Sequence, residues 1–334
     1  MNRKAVALLS GGLDSTLAVK VMLEQGIEIV ALNFTSTFCT CSLRGSVCSN
    51  EAARVANEFG ITIKTMQKGL DYIEIVRDPK YGYGQGMNPC VDCRIYMHKL
   101  AKKYMEEIGA SFIITGEVLG QRPMSQRRDA FKSIERESGL QGLIVRPLCA
   151  KRLDPTIPEK LGIINREKLL DVIGRSRKHQ IALAEELDIQ NYPCPSGGCL
   201  LTDKIFSKRV KDLLDNKKDV TMKDLQLLKV GRHFRLNQDN KIIIGRDEAE
   251  NKRMKNLIQA DDSLIEPLDF VGPIGLISGL SRNGTHLLAG RMVLRYAGEK
   301  AHGKRKLTLL RNGESTAFEV DSPAEDELLK GMMI

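Results

Sequence analysis

The chain has 334 residues, 42% of them hydrophobic, enough for two domains with cores of their own, and no apolar run nears the roughly 20 residues that span a bilayer. A formal charge of +9 favours a polyanionic partner, while 5% aromatic residues and no Trp argue against broad base-stacking platforms, leaving Lys and Arg contacts to phosphate to carry any nucleic-acid affinity. Met1–Lys4 leads into an apolar stretch that soon breaks at Ser10-Gly11-Gly12 and does not read as a secretory signal, so eight cysteines in a cytoplasmic chain favour metal or redox chemistry over disulfides.

In chain order, Ala5–Leu9 reads as a buried strand and Ser15–Glu24 as a helix, with two glycines turning between them. A strand at Ile27–Asn33, a helix at Asn50–Phe59, a strand at Thr62–Met66, a long helix at Cys93–Ile108 and an apolar strand at Phe112–Thr115 follow. Apolar strands alternating with helices predict a parallel sheet covered on both faces, an α/β Rossmann-like fold. Ligands of such sheets sit at the carboxyl ends of the strands, where Ser10, Asn33 and Thr115 lie.

Residues 120–162 show no sustained periodicity and are expected to loop over that edge, with a short strand at Leu143–Leu148. Helices are expected at Arg166–Ile173 and Ser176–Leu187, then a Pro- and Gly-rich loop at Asn191–Gly198 and a helix at Lys204–Leu214. From about Met222 the texture changes to short strands at Arg232–Leu236, Lys241–Ile244, Ile274–Ser278 and Leu307–Leu310, interrupted by a helix at Asp247–Gln259. The expected organisation is a first domain over 1–205, a linker helix and hinge over 206–222, and a smaller α+β domain over 223–334.

Between the first strand and helix stands Ser10-Gly11-Gly12-Leu13-Asp14-Ser15. A strand, a Gly turn and a helix N-terminus aim backbone N–H groups at one point, which suits a phosphate. No Lys follows the glycines, so this is not a Walker A loop. The hexapeptide resembles the signature of the PP-loop ATP pyrophosphatases, whose fold is adenine nucleotide alpha hydrolase-like. That resemblance implies cleavage of ATP to AMP and pyrophosphate with adenylation of a substrate oxygen. Ser10, Gly11, Gly12 and Ser15 would hold the phosphates, Asp14 would place Mg²⁺ or orient the loop, and Asn33, Thr115 and Gly116 would line the nucleotide.

Cys90 and Cys93 stand at a Cys-x-x-Cys spacing where a helix begins, a position that favours thiolate. The spacing alone fits a metal or iron–sulfur site, a redox pair or two unconnected thiols; with Cys194 and Cys199 it also makes a four-ligand zinc set. Asn88-Pro89-Cys90-Val91-Asp92-Cys93 followed late by Gly197-Gly198-Cys199 is similar to the tRNA 2-thiouridine synthetases and related tRNA thiolation enzymes. The resemblance implies a 4Fe–4S cluster on Cys90, Cys93 and Cys199 whose open iron binds sulfide; Cys194 is an extra thiol that reads as an alternate ligand, a persulfide carrier or a loop residue. Cys39, Cys41 and Cys48 read as packed loop thiols, a secondary zinc site or a sulfur relay, Cys149 as buried structure, and His98 as packing. Thr115-Gly116-Glu117 resembles the Thr-Gly-His strand end of these families, with Glu117 in place of His as a base or a cap.

The implied reaction adenylates a pyrimidine carbonyl of tRNA and replaces its oxygen with sulfur from sulfide or a persulfide carrier, with Asp14, Cys90 and Cys199 as catalytic residues. Arg122, Arg127, Arg128, Arg146, Arg175, Arg177 and Lys178 are expected to face RNA, with Lys151 and Arg152 beside them. Lys241–Gly245, Arg246-Asp247, Asp261-Asp262 and Gly272-Pro273 resemble the RNA-binding domain of the NFACT proteins over about Gly231–Gly279, which adds Arg246 to the RNA contacts. Competing readings are a PP-loop ligase or amidotransferase without sulfur chemistry and a non-catalytic ATP-binding RNA factor. A homodimer stays open as an expectation, and no membrane association is expected.

Overall fold

Ala5, Val6 and Ala7 have no exposed surface, because their strand is flanked on both edges and covered on both faces. The protein is described by a computed structural model over residues 1–40, 48–190, 192, 198–279, 284–298 and 303–334. It divides into two units, Met1–Thr202 and Asp203–Ile334.

The first unit runs β1 (Lys4–Leu8), α1 (Leu13–Leu23), β2 (Glu28–Thr35), α2 (Cys48–Glu58), β3 (Ile63–Gln67), α3 (Asp71–Arg77), α4 (Cys90–Glu107), β4 (Phe112–Thr115), α5 (Arg128–Ser138), β5 (Ile144–Val145), α6 (Ile157–Lys160) and α7 (Lys178–Glu186). All five strands are parallel, in the order β3-β2-β1-β4-β5. The pleat sends alternate residues to opposite faces. Ala5, Ala7, Ala31 and Ile114 pack with Leu17 and Val21 of α1 and with Ala52 and Val55 of α2. Val6, Leu32, Ile113 and Ile144 pack with Ala101, Tyr104 and Met105 of α4. The chain turns to opposite sides of the sheet after β1, so a crevice opens at the carboxyl ends of β1 and β4. There Leu8 lies in register with both Leu32 and Thr115.

Two expected features of this unit differ. Residues 120–162 are not all loop: Arg128–Ser138 is helical and buries Ala130, Phe131 and Ile134. The expected helix at Arg166–Ile173 is only a 3-10 turn at Arg166–Lys168. Beyond it the N–H groups of Leu170 and Val172 donate to the carbonyls of Pro147 and Leu148. That pairing takes the donors a continuing helix would need.

The second unit runs α8 (Lys204–Asn216), α9 (Met222–Leu227), β6 (Arg232–Arg235), β7 (Lys241–Ile244), α10 (Glu248–Lys255), β8 (Ser263–Pro267), β9 (Gly275–Ser278), α11 (Thr285–Ala297), β10 (Arg305–Arg311), β11 (Glu314–Val320) and α12 (Asp326–Met332). Its sheet is antiparallel, in the order β11-β10-β8-β9-β7-β6, with α11 burying Ala289, Met292 and Val293 against it. Helix α8, expected as a connector, is part of this unit: Asp212 pairs with Arg235 at 2.7 Å and Lys241 at 3.1 Å. Among the described residues no helix is long and apolar enough to cross a membrane.

Candidate active site

The turn after β1 closes on itself. Ser15 Oγ donates to the Gly12 carbonyl at 2.9 Å and accepts from Ser10 N–H at 3.2 Å, while Thr16 Oγ1 donates to the same carbonyl at 3.1 Å. Gly11 has φ +76°, and a Cβ there would stand 2.6 Å from the Glu51 carbonyl carbon of α2, so only glycine fits. The loop thereby presents the N-terminus of α1 at the carboxyl edge of the sheet, a position suited to an anion.

Asn33 and Thr115 support this loop rather than open onto it. Asn33 is buried and its Nδ2 donates to the Leu9 carbonyl at 2.8 Å. Thr115 is buried with its hydroxyl turned to Glu117 at 3.4 Å. Gly116, expected to admit the nucleotide, instead admits α1: a Cβ there would stand 2.5 Å from Ser15 N and 2.6 Å from the Asp14 carbonyl carbon. Gly116→Ala is therefore expected to destabilise the first unit by about 1–3 kcal/mol and to weaken ATP binding, read by thermal melting and nucleotide titration.

Asp14, in the first turn of α1, accepts from Gln121 Nε2 at 2.7 Å and has Arg177 Nη2 at 3.8 Å, both on Oδ2. Its Oδ1 is buried without a hydrogen-bond partner, as is Asn33 Oδ1. An orphaned buried carboxylate oxygen such as Asp14 Oδ1, beside a turn suited to an anion, is what a bound cation would satisfy. Arg177, expected at RNA, thus leans on the phosphate loop.

The three cysteines separated in sequence are gathered at the same edge. Residues 38–40 and 198–200 form an antiparallel bridge: Leu200 N–H donates to the Phe38 carbonyl at 2.8 Å and Thr40 N–H to that of Gly198 at 3.2 Å. Cys199 lies on this bridge, close enough to Cys93 and Cys90 for their charges to interact. Burial, reinforced by Cys93, pushes the Cys199 thiol up to about 11. Cys90 Sγ donates to Ser125 Oγ at 3.0 Å, and Lys68 Nζ lies 2.9 Å from Cys93 Sγ. Arg122, exposed on the same turn as Gln121 and Ser125, is within reach of the charges of Arg94, Cys90, Arg177 and Asp14. One short turn therefore touches both the phosphate loop and the thiols. Gln121 and Ser125 are not among the residues that the motifs single out; only their place just after the β4 strand end points to them.

As placed, these thiols do not fit a metal: among the described residues no three His, Cys, Asp or Glu side chains are grouped to hold one. Cys93 faces an ammonium and Cys90 a hydroxyl instead. Cys41 and Cys194 lie outside the described residues, as does the side chain of Cys48.

Glu117 is neither a base nor a cap but the centre of a buried ion network. Arg146 Nε lies 3.2 Å and Arg94 Nε 3.5 Å from its carboxylate, and Arg146 Nη1 lies 2.6 Å from Glu135. Burial alone would raise the Glu117 carboxyl, but Arg94 and Arg146 outweigh it and hold it below the usual range. Arg146 is 3% exposed and stacks on Phe131 at 3.9 Å, so it cannot serve as an RNA contact as expected: its charge is satisfied by two carboxylates. Cys149, buried as expected, donates to the Glu117 carbonyl at 3.3 Å, and buried His98 meets the Arg94 carbonyl at 2.8 Å.

The remaining cations lie at the surface. Arg127 pairs with Asp129, Arg128 reaches the Arg152 carbonyl, Arg175 and Lys178 are exposed, and in the second unit Arg246 pairs with Glu250 through Nε at 3.0 Å.

Residues 1–159 match the family described as thiamine biosynthesis protein (ThiI), and residues 231–332 match that described as NFACT protein RNA binding domain. A tRNA-specific 2-thiouridylase MnmA of Clostridium acetobutylicum is 27% identical over 309 residues, covering 80% of this chain and 84% of that protein. A probable tRNA sulfurtransferase of Methanothermobacter thermautotrophicus is 32% identical over 118 residues, 35% of this chain and 30% of that protein. The 2-thiouridylase MnmA 2 of Caldanaerobacter subterraneus is 26% identical and covered over 59% of its length. The chain thus spans less than two thirds of the latter two. A solved 4-thiouridine synthetase–RNA complex with bound ATP is similar at a TM-score of 0.37 and 23% identity, over 68% of this chain and 52% of that one. The chain is thus similar to the ThiI family and to tRNA thiolation enzymes in its first part, and to the NFACT RNA-binding domain over residues 231–332.

Proposed function

We propose that the protein is a tRNA sulfurtransferase that activates a pyrimidine carbonyl with ATP and replaces its oxygen with sulfur. The observation that carries this is the turn Gln121–Gln126, whose Gln121 grips Asp14 of the phosphate loop and whose Ser125 accepts from Cys90. An adenylated base formed at the one end is within reach of sulfur chemistry at the other. The α1 N-terminus and the Ser10–Gly12 turn receive the phosphates, and the unpartnered Asp14 Oδ1 suits Mg²⁺, which commonly bridges carboxylate and phosphate oxygens. Arg177 and Arg122 add positive charge where pyrophosphate charge develops. The base oxygen attacks the α-phosphate, pyrophosphate leaves, and a sulfur nucleophile then displaces AMP from carbon. Adenylation supplies the leaving group that a carbonyl oxygen lacks.

The exposed cations Arg122, Arg127, Arg128, Arg175 and Lys178 of the first unit, and Arg246 of the second, suit tRNA phosphate contacts. Sulfur carried on cysteine accords better with the thiol contacts than a 4Fe–4S cluster on Cys90, Cys93 and Cys199, and no step here depends on a cluster. Iron and acid-labile sulfide assays on anaerobically purified protein distinguish the two. The function itself is tested by mass spectrometry of tRNA nucleosides from cells lacking the protein. One thiolated pyrimidine is expected to disappear; an unchanged set of thionucleosides overturns the proposal.

A further inference from the structure

The three gathered thiols are not equivalent. Lys68 continues β3, its N–H donating to the Thr35 carbonyl at 3.0 Å, so the backbone delivers its side chain to the carboxyl edge of the sheet. Its Nζ lies 2.9 Å from Cys93 Sγ and 4.8 Å from the centroid of the Tyr72 ring. Tyr72 is buried, packs on Tyr96 with ring centroids 5.4 Å apart, and gives Cys93 a second hydrogen bond through its hydroxyl. Among the described residues Lys68 pairs with no carboxylate, so the sulfur is its anionic partner. Cys93 also sits in the first turn of the 18-residue α4, where the helix dipole favours negative charge. Cys90, by contrast, donates to the Ser125 hydroxyl, and Cys199 is half-buried on the bridge to residues 38–40.

We infer that Cys93 is the sulfur-accepting nucleophile of this site and that Lys68, clamped over Tyr72, is the positioning residue that holds its sulfur for attack. In the step assigned here the Cys93 thiolate attacks the outer sulfur of a donor persulfide, R–S–SH. The donor S–S bond breaks, the donor leaves as R–S⁻, and Cys93 becomes Cys93–S–SH. Sulfur, proton and charge balance without an oxidant or reductant. The inference deepens the sulfur-transfer proposal and rests on it for its meaning.

The test needs neither tRNA nor ATP, so its failure is distinct from failure of that proposal, which is read in the nucleosides. Full-length protein is treated with limiting iodoacetamide, or with inorganic polysulfide as the sulfane donor, and each modified cysteine is mapped by peptide mass spectrometry. Cys93 is expected to be labelled first at neutral pH. Lys68→Met should slow its labelling about tenfold or more while Cys199 labelling is unchanged, and Lys68→Arg should restore most of the rate. Retained ATP binding by both variants reports an intact fold. First labelling of Cys90 or Cys199 overturns the inference, as does a wild-type rate at Cys93 in Lys68→Met. Protection of Cys93 until iron is chelated overturns it equally.

Discussion

Asp14→Ala is expected to abolish tRNA-dependent pyrophosphate release from ATP, a loss on the order of 100-fold or more, with the fold of the first unit retained. The carboxylate is the one acidic group in the first turn of α1, and its Oδ1 is buried and unpartnered while Oδ2 is fixed by Gln121 and Arg177. Removing it takes away the oxygen suited to the phosphate-bound cation and frees both of its neighbours to wander. Asp14→Asn separates these effects: an amide oxygen still accepts from Gln121 but carries no charge. That variant is expected to bind ATP, by equilibrium dialysis, and to release little pyrophosphate. Unchanged turnover in Asp14→Ala would remove the phosphate loop from the mechanism.

Arg146→Met should destabilise the first unit by about 3 kcal/mol, the lower end of what breaking a buried ion pair costs. The lower end applies because Arg94 still faces Glu117 at 3.5 Å when Arg146 is gone. The stack on Phe131 and the 2.6 Å contact to Glu135 disappear with it. For a unit of this size that corresponds to a fall of roughly 6–12 °C in its melting transition, read by calorimetry. The same network sets an acid limit. Because Arg94 and Arg146 hold Glu117 below the usual carboxylate range, its ionic contribution is complete above that range and is lost as pH falls through the depressed value. Glu117→Gln is expected to be less stable at neutral pH and to lose less on acidification, as urea melts at neutral and acid pH would report.

The parallel sheet was legible because its strands are short apolar runs buried on both faces, and the turn at Ser10–Ser15 because its glycines stand where a strand gives way to a helix. Legibility stopped where pairing decides structure. Arg166–Ile173 carries helical spacing, yet Leu170 and Val172 bond to Pro147 and Leu148, partners that no local pattern reveals. Arg128–Ser138 sets Ala130, Phe131, Ile134 and Ser138 on one helical face among charges, a spacing that does read as a helix and that the loop expectation passed over. At the site, Arg146 reads like any surface arginine from sequence; its burial follows from Glu117 and Glu135, 29 and 11 positions away. Lys68 precedes Cys93 by 25 positions, outside any spacing rule for thiols.

The bridge between Thr40 and Gly198 closes a loop of 158 positions, and closure over such a distance comes late in folding. On the ribosome, the strands beside the phosphate loop emerge and can pair well before Cys199 is synthesised. A nascent chain would therefore gain its grip on nucleotide ahead of its capacity to handle sulfur, and a truncation short of Gly198 should yield an ATP binder with no completed thiol site.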